Sequence, residues 1–204
     1  MSTQSNFKSD LEREQRLYIL LDRYYKHYLK HYTFERVSDL RRQLKGIDLI
    51  FTHKTNGKQF FIDEKAQLDY VNENLPTFAF ELSYEKKGSL KKGWLFDTSK
   101  KTDFYALITS IYADAPNTFT SCKITLVNRQ KLIALLKRRS ITAASIKKYA
   151  LLRQKLHGKI KLDMLHHRSE GYLFSSTKNK AERPLNLILK LDFLEESGVA
   201  KRLA

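Results

Sequence analysis

Two aspartates and a lysine stand out in the segment GIDLIFTHKTNGKQFFIDEKAQ, residues 46–67: Asp48, Asp63 and Lys65. Aspartate disfavours strands. Yet both acids lie in short apolar runs that read as strands, Ile47–His53 and Gln59–Ala66, on either side of an Asn-Gly pair. Two converging carboxylates offer hard oxygen donors to a magnesium ion, which holds its ligands at about 2.1 Å. Such an ion neutralises a phosphate oxygen and lowers the pKa of a bound water. A lysine alongside steadies charge on a pentavalent phosphate or orients the attacking water. The chemistry this combination suits is phosphodiester hydrolysis.

The elements that must position these groups are a hairpin and its neighbours. Asn56-Gly57 favours a two-residue type I′ turn. In that register Thr55 faces Lys58, Asp48 faces Lys65 and Ile50 faces Asp63. Facing residues share a side of the sheet, as do residues two apart on one strand. Asp48, Asp63, Lys65 and Gln67 are therefore expected to project together, with Glu64 on the opposite side. Asp48 and Asp63 become diagonal neighbours, roughly 7–8 Å apart at the backbone, and a one-residue slip would separate them. The plainer alternative is an exposed hairpin face with a salt bridge between Asp48 and Lys65, worth about 0–1 kcal/mol. It leaves Asp63 without a reason to be in a strand.

Around the hairpin the pattern is helix first, from about Ser9 to Tyr32, with Leu11, Tyr18, Leu21, Tyr25, Tyr28 and Tyr32 at helical spacings. A short second helix is expected over FERVSDLRRQLK, ended by Gly46. TFAFELSY, WLFDT, DFYALITSIY and FTSCKITLV read mostly as strands of one mixed or antiparallel sheet. NRQKLIALLKRRS and ITAASIKKYALLRQKL read as helices, and GYLFSS and PLNLILKL as short closing strands, with a last helical turn near LEESG. The expected fold class is α/β, or α+β: a layered fold with additional C-terminal helices and short strands.

The 204 residues are 42% hydrophobic and hold only 7 glycines and 3 prolines, which suits one compact domain over 1–204 rather than modules on flexible linkers. Lys and Arg number 38 against 22 Asp and Glu, a net charge of +16. A field of that sign gathers polyanions, and nucleic acid is the partner it most often serves, through counterion release. No run of 18 apolar residues and no basic-then-apolar leader occurs, so no membrane span is expected. The single Cys122 excludes a four-cysteine metal site and an internal disulfide, and a cytoplasmic setting is expected.

Other residue types have chemical readings of their own. Glu14 falls near the inward stripe of the first helix and is the candidate helix acid for a metal; a solvated helix charge is the ordinary role. Glu81 shares a face with Ala79 and Ser83 on TFAFELSY, where it would add a ligand, orient Lys65 or form a cross-strand ion pair. His27 and His31 have i, i+4 spacing but no third zinc ligand. His166 and His167 are adjacent and read as surface residues. Lys86, Lys87, Lys91 and Lys92, in a Gly-containing loop, together with Lys100 and Lys101, are the candidate phosphate contacts. The tyrosines of the first helix have a base-stacking reading, with core packing as the commoner one. No Walker loop, dinucleotide glycine motif or Gly-x-Ser-x-Gly elbow is present.

GIDLIF followed by FFIDEKAQ resembles the PD-(D/E)XK nuclease superfamily, the restriction-endonuclease-like fold. Asp48 matches its first acid, Asp63 the second, Lys65 the lysine, and Gln67 a glutamine often found just beyond. Ile47 stands where the name pattern has proline. The likeness covers mainly residues 9–125, with 126–204 as a helical and small β extension. It implies a helix followed by a mixed central sheet flanked by helices. It further implies a magnesium site, with manganese as a substitute, made by Asp48, Asp63 and the Glu64 carbonyl, with an acid such as Glu14 joining from the first helix. Lys65 would stabilise the transition state. DNA hydrolysis follows as the expected activity, and action as a homodimer is common in the superfamily. A non-catalytic DNA-binding subunit of a mobile-element or repair complex is the rival reading, and a basic RNA-associated protein a third.

Overall fold

A computed structural model describes residues 4–86, 88–116, 118–152, 157–177 and 183–204. Helix α1 spans Gln4–Tyr28 and buries Leu17, Leu20, Leu21 and Tyr25. It ends earlier than its apolar periodicity suggests. Tyr32–Arg36 forms a strand, β1, that pairs antiparallel with β2, Leu49–His53, and Tyr32 stands opposite His53. Of the helix expected over 34–45, residues 34–36 are thus strand and 37–39 belong to neither kind of element. Tyr32, Thr33 and Phe34 are β-formers, and pairing with β2 completes their backbone hydrogen bonds. Only Leu40–Gln43 is helical (α2), capped by Asp39, whose carboxylate accepts the Arg41 N–H at 2.8 Å.

Strand β3, Gln59–Ala66, pairs antiparallel with β2, but not in the register a two-residue turn would set. His53 N–H donates to Lys58 O at 2.9 Å, so the loop has four residues, Lys54–Gly57. Gly57 alone has positive φ, +68°, and the Asn56 side chain accepts the Lys58 N–H at 3.0 Å. A type I′ turn needs both central residues at positive φ, and Asn56 is committed to its side-chain bond instead. Leu49 consequently faces Ile62, and the Asp48 N–H donates to Ile62 O at 2.8 Å. The pairing is displaced by two residues from the expected one, which preserves the faces. Asp48 meets Asp63 directly across the strands rather than diagonally.

On its other side β3 pairs in parallel with β6, Phe104–Ala115, with Asp63 opposite Tyr105 and Lys65 opposite Leu107. Strand β7, Thr118–Asn128, and β11, Ala200–Arg202, complete a six-stranded mixed sheet in the order β1-β2-β3-β6-β7-β11. The chain between β3 and β6 makes a 3-10 turn at Leu68–Tyr70 and then strands β4, Thr77–Lys86, and β5, Ser89–Lys92. These do not join the first sheet. With β8 (Gly158–Ile160), β9 (Gly171–Ser175) and β10 (Leu185–Lys190) they form a second, five-stranded sheet, β5-β4-β10-β9-β8. Helices α3 (Arg129–Arg138), α4 (Ala143–Leu152) and α5 (Leu191–Glu196) complete the described elements.

The fold is mixed α/β, of the α+β kind expected, but its strands make two sheets where one was expected. Two compact units result: residues 1–75, 104–126 and 202–204 form unit 1, and 76–103 and 127–201 form unit 2. The division is interleaved along the chain rather than falling near residue 125. In unit 1, α1 packs through Leu17, Leu21 and Tyr25 on Leu49, Phe51, Ile62, Ile108 and Ile124 of the sheet. A smaller cluster of Val37, Ile47, Ile50 and Phe61 contains the residues that alternate with these on β2 and β3. Cys122 is buried as a strand thiol. No helix among the described residues is long and apolar enough to cross a membrane.

Candidate active site

Asp48 sits one residue before β2, where that strand gives out and β3 runs on. Ile62 accepts the last β2-side hydrogen bond, from Asp48 N–H. Two residues further, the Glu64 N–H has no strand beside it and donates to the Asp48 carboxylate at 2.9 Å. Backbone groups of a strand alternate sides, so the Glu64 carbonyl opens toward the same vacated edge. The Asp48 side chain thereby substitutes for a missing ladder residue. That is a physical reason for an aspartate at the strand end.

Asp63 is the buried member of the pair, 2% exposed. Its carboxylate is held by the Lys65 ammonium on one side and is hydrogen-bonded to the Asp48 carboxyl on the other. Burial, the Asp63 charge and that hydrogen bond push Asp48 up to about 7, against the opposing pull of Lys65 and the Glu64 N–H. Asp48 is therefore the member of the pair that keeps its proton up to near neutral pH, beside an Asp63 whose charge Lys65 balances. Lys65 pairs with Asp63, two residues back on its own strand, and its charge also acts on Asp48, the partner in the plainer hairpin reading.

A cleft of about 300 Å³ opens at this strand end, lined by Glu14 and Tyr18 of α1, Gln43 of α2, Asp48, Glu64 and Lys65, over an apolar floor that includes Ile108. Glu14 is exposed and faces this cleft from the helix. Asp63 is not among the lining residues. Among the described residues no group of three or more carboxylate, imidazole or thiol side chains is clustered as a metal shell. The donors available are two carboxylates and one carbonyl, with Glu14 on the cleft wall. This hard-oxygen, incomplete set suits magnesium, which keeps several waters and takes one or two carboxylates from a protein.

The spacing of residues gives no hint of the network behind the cleft. Glu64 turns to the α1 side of the sheet, where its side chain keeps only 7% of its exposure, at the edge of the cleft. The Tyr25 hydroxyl donates to it at 2.7 Å, and Arg36 donates to its other oxygen at 2.7 Å. Arg36 also pairs with Asp22 at 2.7 Å and lies 4.0 Å over the Tyr18 ring. Burial raises the Glu64 carboxyl while Arg36 and Tyr25 hold it down. Burial and the Glu14, Glu64 and Asp48 charges push the Tyr18 hydroxyl up to about 12. Glu64 shares the face of Ile62 by strand alternation, so a buried acid needing a cation is readable from the sequence. Its partner is not, because Arg36 reads as helical.

The remaining candidates lie elsewhere. Gln67 is half-buried just past β3, at the start of the 3-10 turn, with its N–H on Ile108 O at 3.0 Å. Strand alternation has ended there, so Gln67 is not placed beside Lys65 by the sheet. Glu81 is on β4, paired with β10 and β5 in the second sheet, and not on a strand neighbouring Lys65. Lys91 and Lys92 are exposed on the edge strand β5, and Lys100 and Lys101 follow in the loop before β6, all in unit 2. Lys87 and the Lys86 side chain lie outside the described residues. His53 packs edge-on against Tyr32, and His27 against Tyr28. Of the tyrosines, Tyr25 is core and Tyr28 is 48% exposed.

No protein-family model, no curated protein and no solved structure matches the chain.

Proposed function

We propose that the protein is a magnesium-dependent nuclease acting on DNA, with its centre at Asp48, Asp63 and Lys65. The observation that carries the reading is the carboxyl pair itself: two aspartates brought face to face at a strand end, with a lysine on one of them, and with Asp48 and Lys65 lining a cleft. An Asp48 pushed up to about 7 by burial and by the Asp63 charge is the kind of perturbed acid that gathers at functional sites. Asp48, Asp63 and the Glu64 carbonyl are the groups that would hold the ion, and Glu14 stands on the wall from which a second ion could be reached. The metal, when bound, supplies charge neutralisation at phosphate and a water of lowered pKa. With an ion bound, Asp48 would release its proton to solvent, and Lys65 would be the group to turn from Asp63 toward a phosphate. The buried Glu64–Arg36 pair fixes the peptide whose N–H and carbonyl frame Asp48. The restriction-endonuclease-like resemblance agrees with these roles but rests on the same few residues.

One observation favours the rival, a DNA-binding protein without catalysis: Asp63 is buried under Lys65, as a structural ion pair would be. Incubation of the purified chain with plasmid and single-stranded DNA in magnesium or manganese separates the two. The nuclease reading expects cleavage that Asp63→Ala and Lys65→Ala abolish while DNA retention survives. Absence of cleavage by the wild type with either ion on both substrates would leave the binding reading in its place.

A further inference from the structure

The net charge of +16 is not spread evenly. Unit 1 holds 15 Lys and Arg against 12 Asp and Glu, a net of +3; unit 2 holds 23 against 10, a net of +13. The unit with the carboxylate pair is therefore nearly balanced, and the polyanion-attracting field belongs to the other. Within unit 2 the imbalance is sharpest over residues 129–162, which contain 11 Lys and Arg and no acid. This stretch comprises α3, α4 and β8.

The fold gathers part of that charge into one place. Helix α3 buries Leu132, Leu135 and Leu136, which leaves Lys137 and Arg138 exposed at its end. The next residue, Arg139, reaches Met164 O at 3.4 Å and pairs with Glu170 at 2.6 Å. It thus ties the end of α3 to the turn between β8 and β9. Glu170 also accepts the His166 N–H at 2.7 Å, so Arg139 neutralises one of the two acids in that turn, Asp163 being the other. Lys159, Lys161 and Arg168 are exposed there, and Lys159 lies 4.0 Å over the Tyr172 ring. The His167 ring reports their closeness: desolvation, then Lys161, Lys159, Arg168 and His166, hold its pKa below the ordinary imidazole value. Like charges are costly to crowd, and a polyanion is what relieves the cost.

We infer that the surface formed by Lys137 and Arg138 at the end of α3 with Lys159, Lys161 and Arg168 of the β8–β9 turn is the grip of unit 2 on the phosphate backbone of duplex DNA. The assignment rests on DNA as the substrate and adds a surface in unit 2 that touches phosphates without reading sequence, distinct from the lysines of β5 and the 100–101 loop. Interactions with phosphate of this kind fix position and supply most non-specific affinity.

The test measures binding of a fluorescent duplex by anisotropy in EDTA, where nothing is cut, over a salt series. The combined Lys137→Ala, Arg138→Ala, Lys161→Ala and Arg168→Ala variant is expected to bind at least tenfold more weakly. Its slope of log affinity against log salt should flatten by about 0.9 for each phosphate that is no longer neutralised. A charge-matched control in unit 1, Lys26→Ala, Lys30→Ala, Lys54→Ala and Lys58→Ala, should change affinity less than threefold. Circular dichroism and a melting curve establish that both variants are folded. Equal losses in the two variants, or no loss in the first, overturn the inference. So does a wild type that binds phosphatidylserine vesicles through these residues but not the duplex. A chain that never cuts DNA, yet binds it with this pattern, refutes the nuclease and leaves the grip standing.

Discussion

The Asp48–Asp63 pair makes a stability prediction that does not depend on any substrate. In the folded protein Asp48 releases its proton at about 7, against an ordinary 3.8. Between those values the folded state carries a proton that the unfolded chain has lost. Stability contributed by this group is therefore fully present below pH 3.8 and is lost as pH rises through 7. At 1.36 kcal/mol for each pH unit, the gap between 3.8 and about 7 gives a ceiling of about 4 kcal/mol. Asp48 is only partly buried, so water relaxes some of this, and roughly 2–4 kcal/mol is the expected loss. Asp48→Asn keeps the shape, still accepts from the Glu64 N–H and donates to Asp63. It should melt on the order of 10 °C above the wild type at pH 8 and close to it at pH 4. Magnesium at about 100 times its dissociation constant should restore about 2.7 kcal/mol to the wild type at pH 8 and nothing to the variant. Calorimetry across pH 4–9, with and without the ion, reads all of this. A variant with the same pH slope as the wild type would refute the raised titration of Asp48 beside Asp63.

Arg36→Ala leaves Glu64 buried without its cation and is expected to cost about 3–5 kcal/mol in urea unfolding, most of which a second change, Glu64→Gln, recovers. The Cys122 thiol, pushed up to about 12 by burial and by the Glu64 charge, should not react with a disulfide reagent at pH 8 until the protein is unfolded; fast labelling of the native state would contradict its burial. A Cβ at Gly171 would lie 2.3 Å from the Ile188 carbonyl oxygen, so Gly171→Ala should destabilise unit 2 by roughly 1–3 kcal/mol in thermal melts.

Much of the site is legible in the sequence because strand alternation is insensitive to the details of a turn. The Asn-Gly pair points to the wrong loop, yet a displacement by two residues leaves Asp48, Asp63 and Lys65 on one face. Gln67 and Glu81 show where such reasoning stops. Gln67 lies where the strand has ended, and period-two alternation does not extend past a strand end. Placing Glu81 near Lys65 assumes that successive strands neighbour each other, but β3 ends at Ala66 and pairs with β6, which begins only at Phe104. Nothing local in TFAFELSY distinguishes one sheet from the other. Arg36 escapes sequence reading for a related reason: YTFER is short, and the helical patterns on either side outweigh its alternation until pairing with β2 decides the matter.

The interleaving of the two units constrains how the molecule can be born. Unit 1 needs β6 and β7, which follow the β4–β5 excursion, and it includes Leu203, whose N–H donates to Ile124 O at 2.8 Å. A nascent polypeptide emerging from the ribosome cannot close the first body before making β4 and β5 of the second. The acid pair of residues 48 and 63 would wait through the synthesis of β4 and β5 for the strand that lies beside Asp63. Neither body can be cut out as a contiguous fragment, so separating the two would call for rejoining Leu75 to Phe104 in one and Asp103 to Val127 in the other rather than truncation.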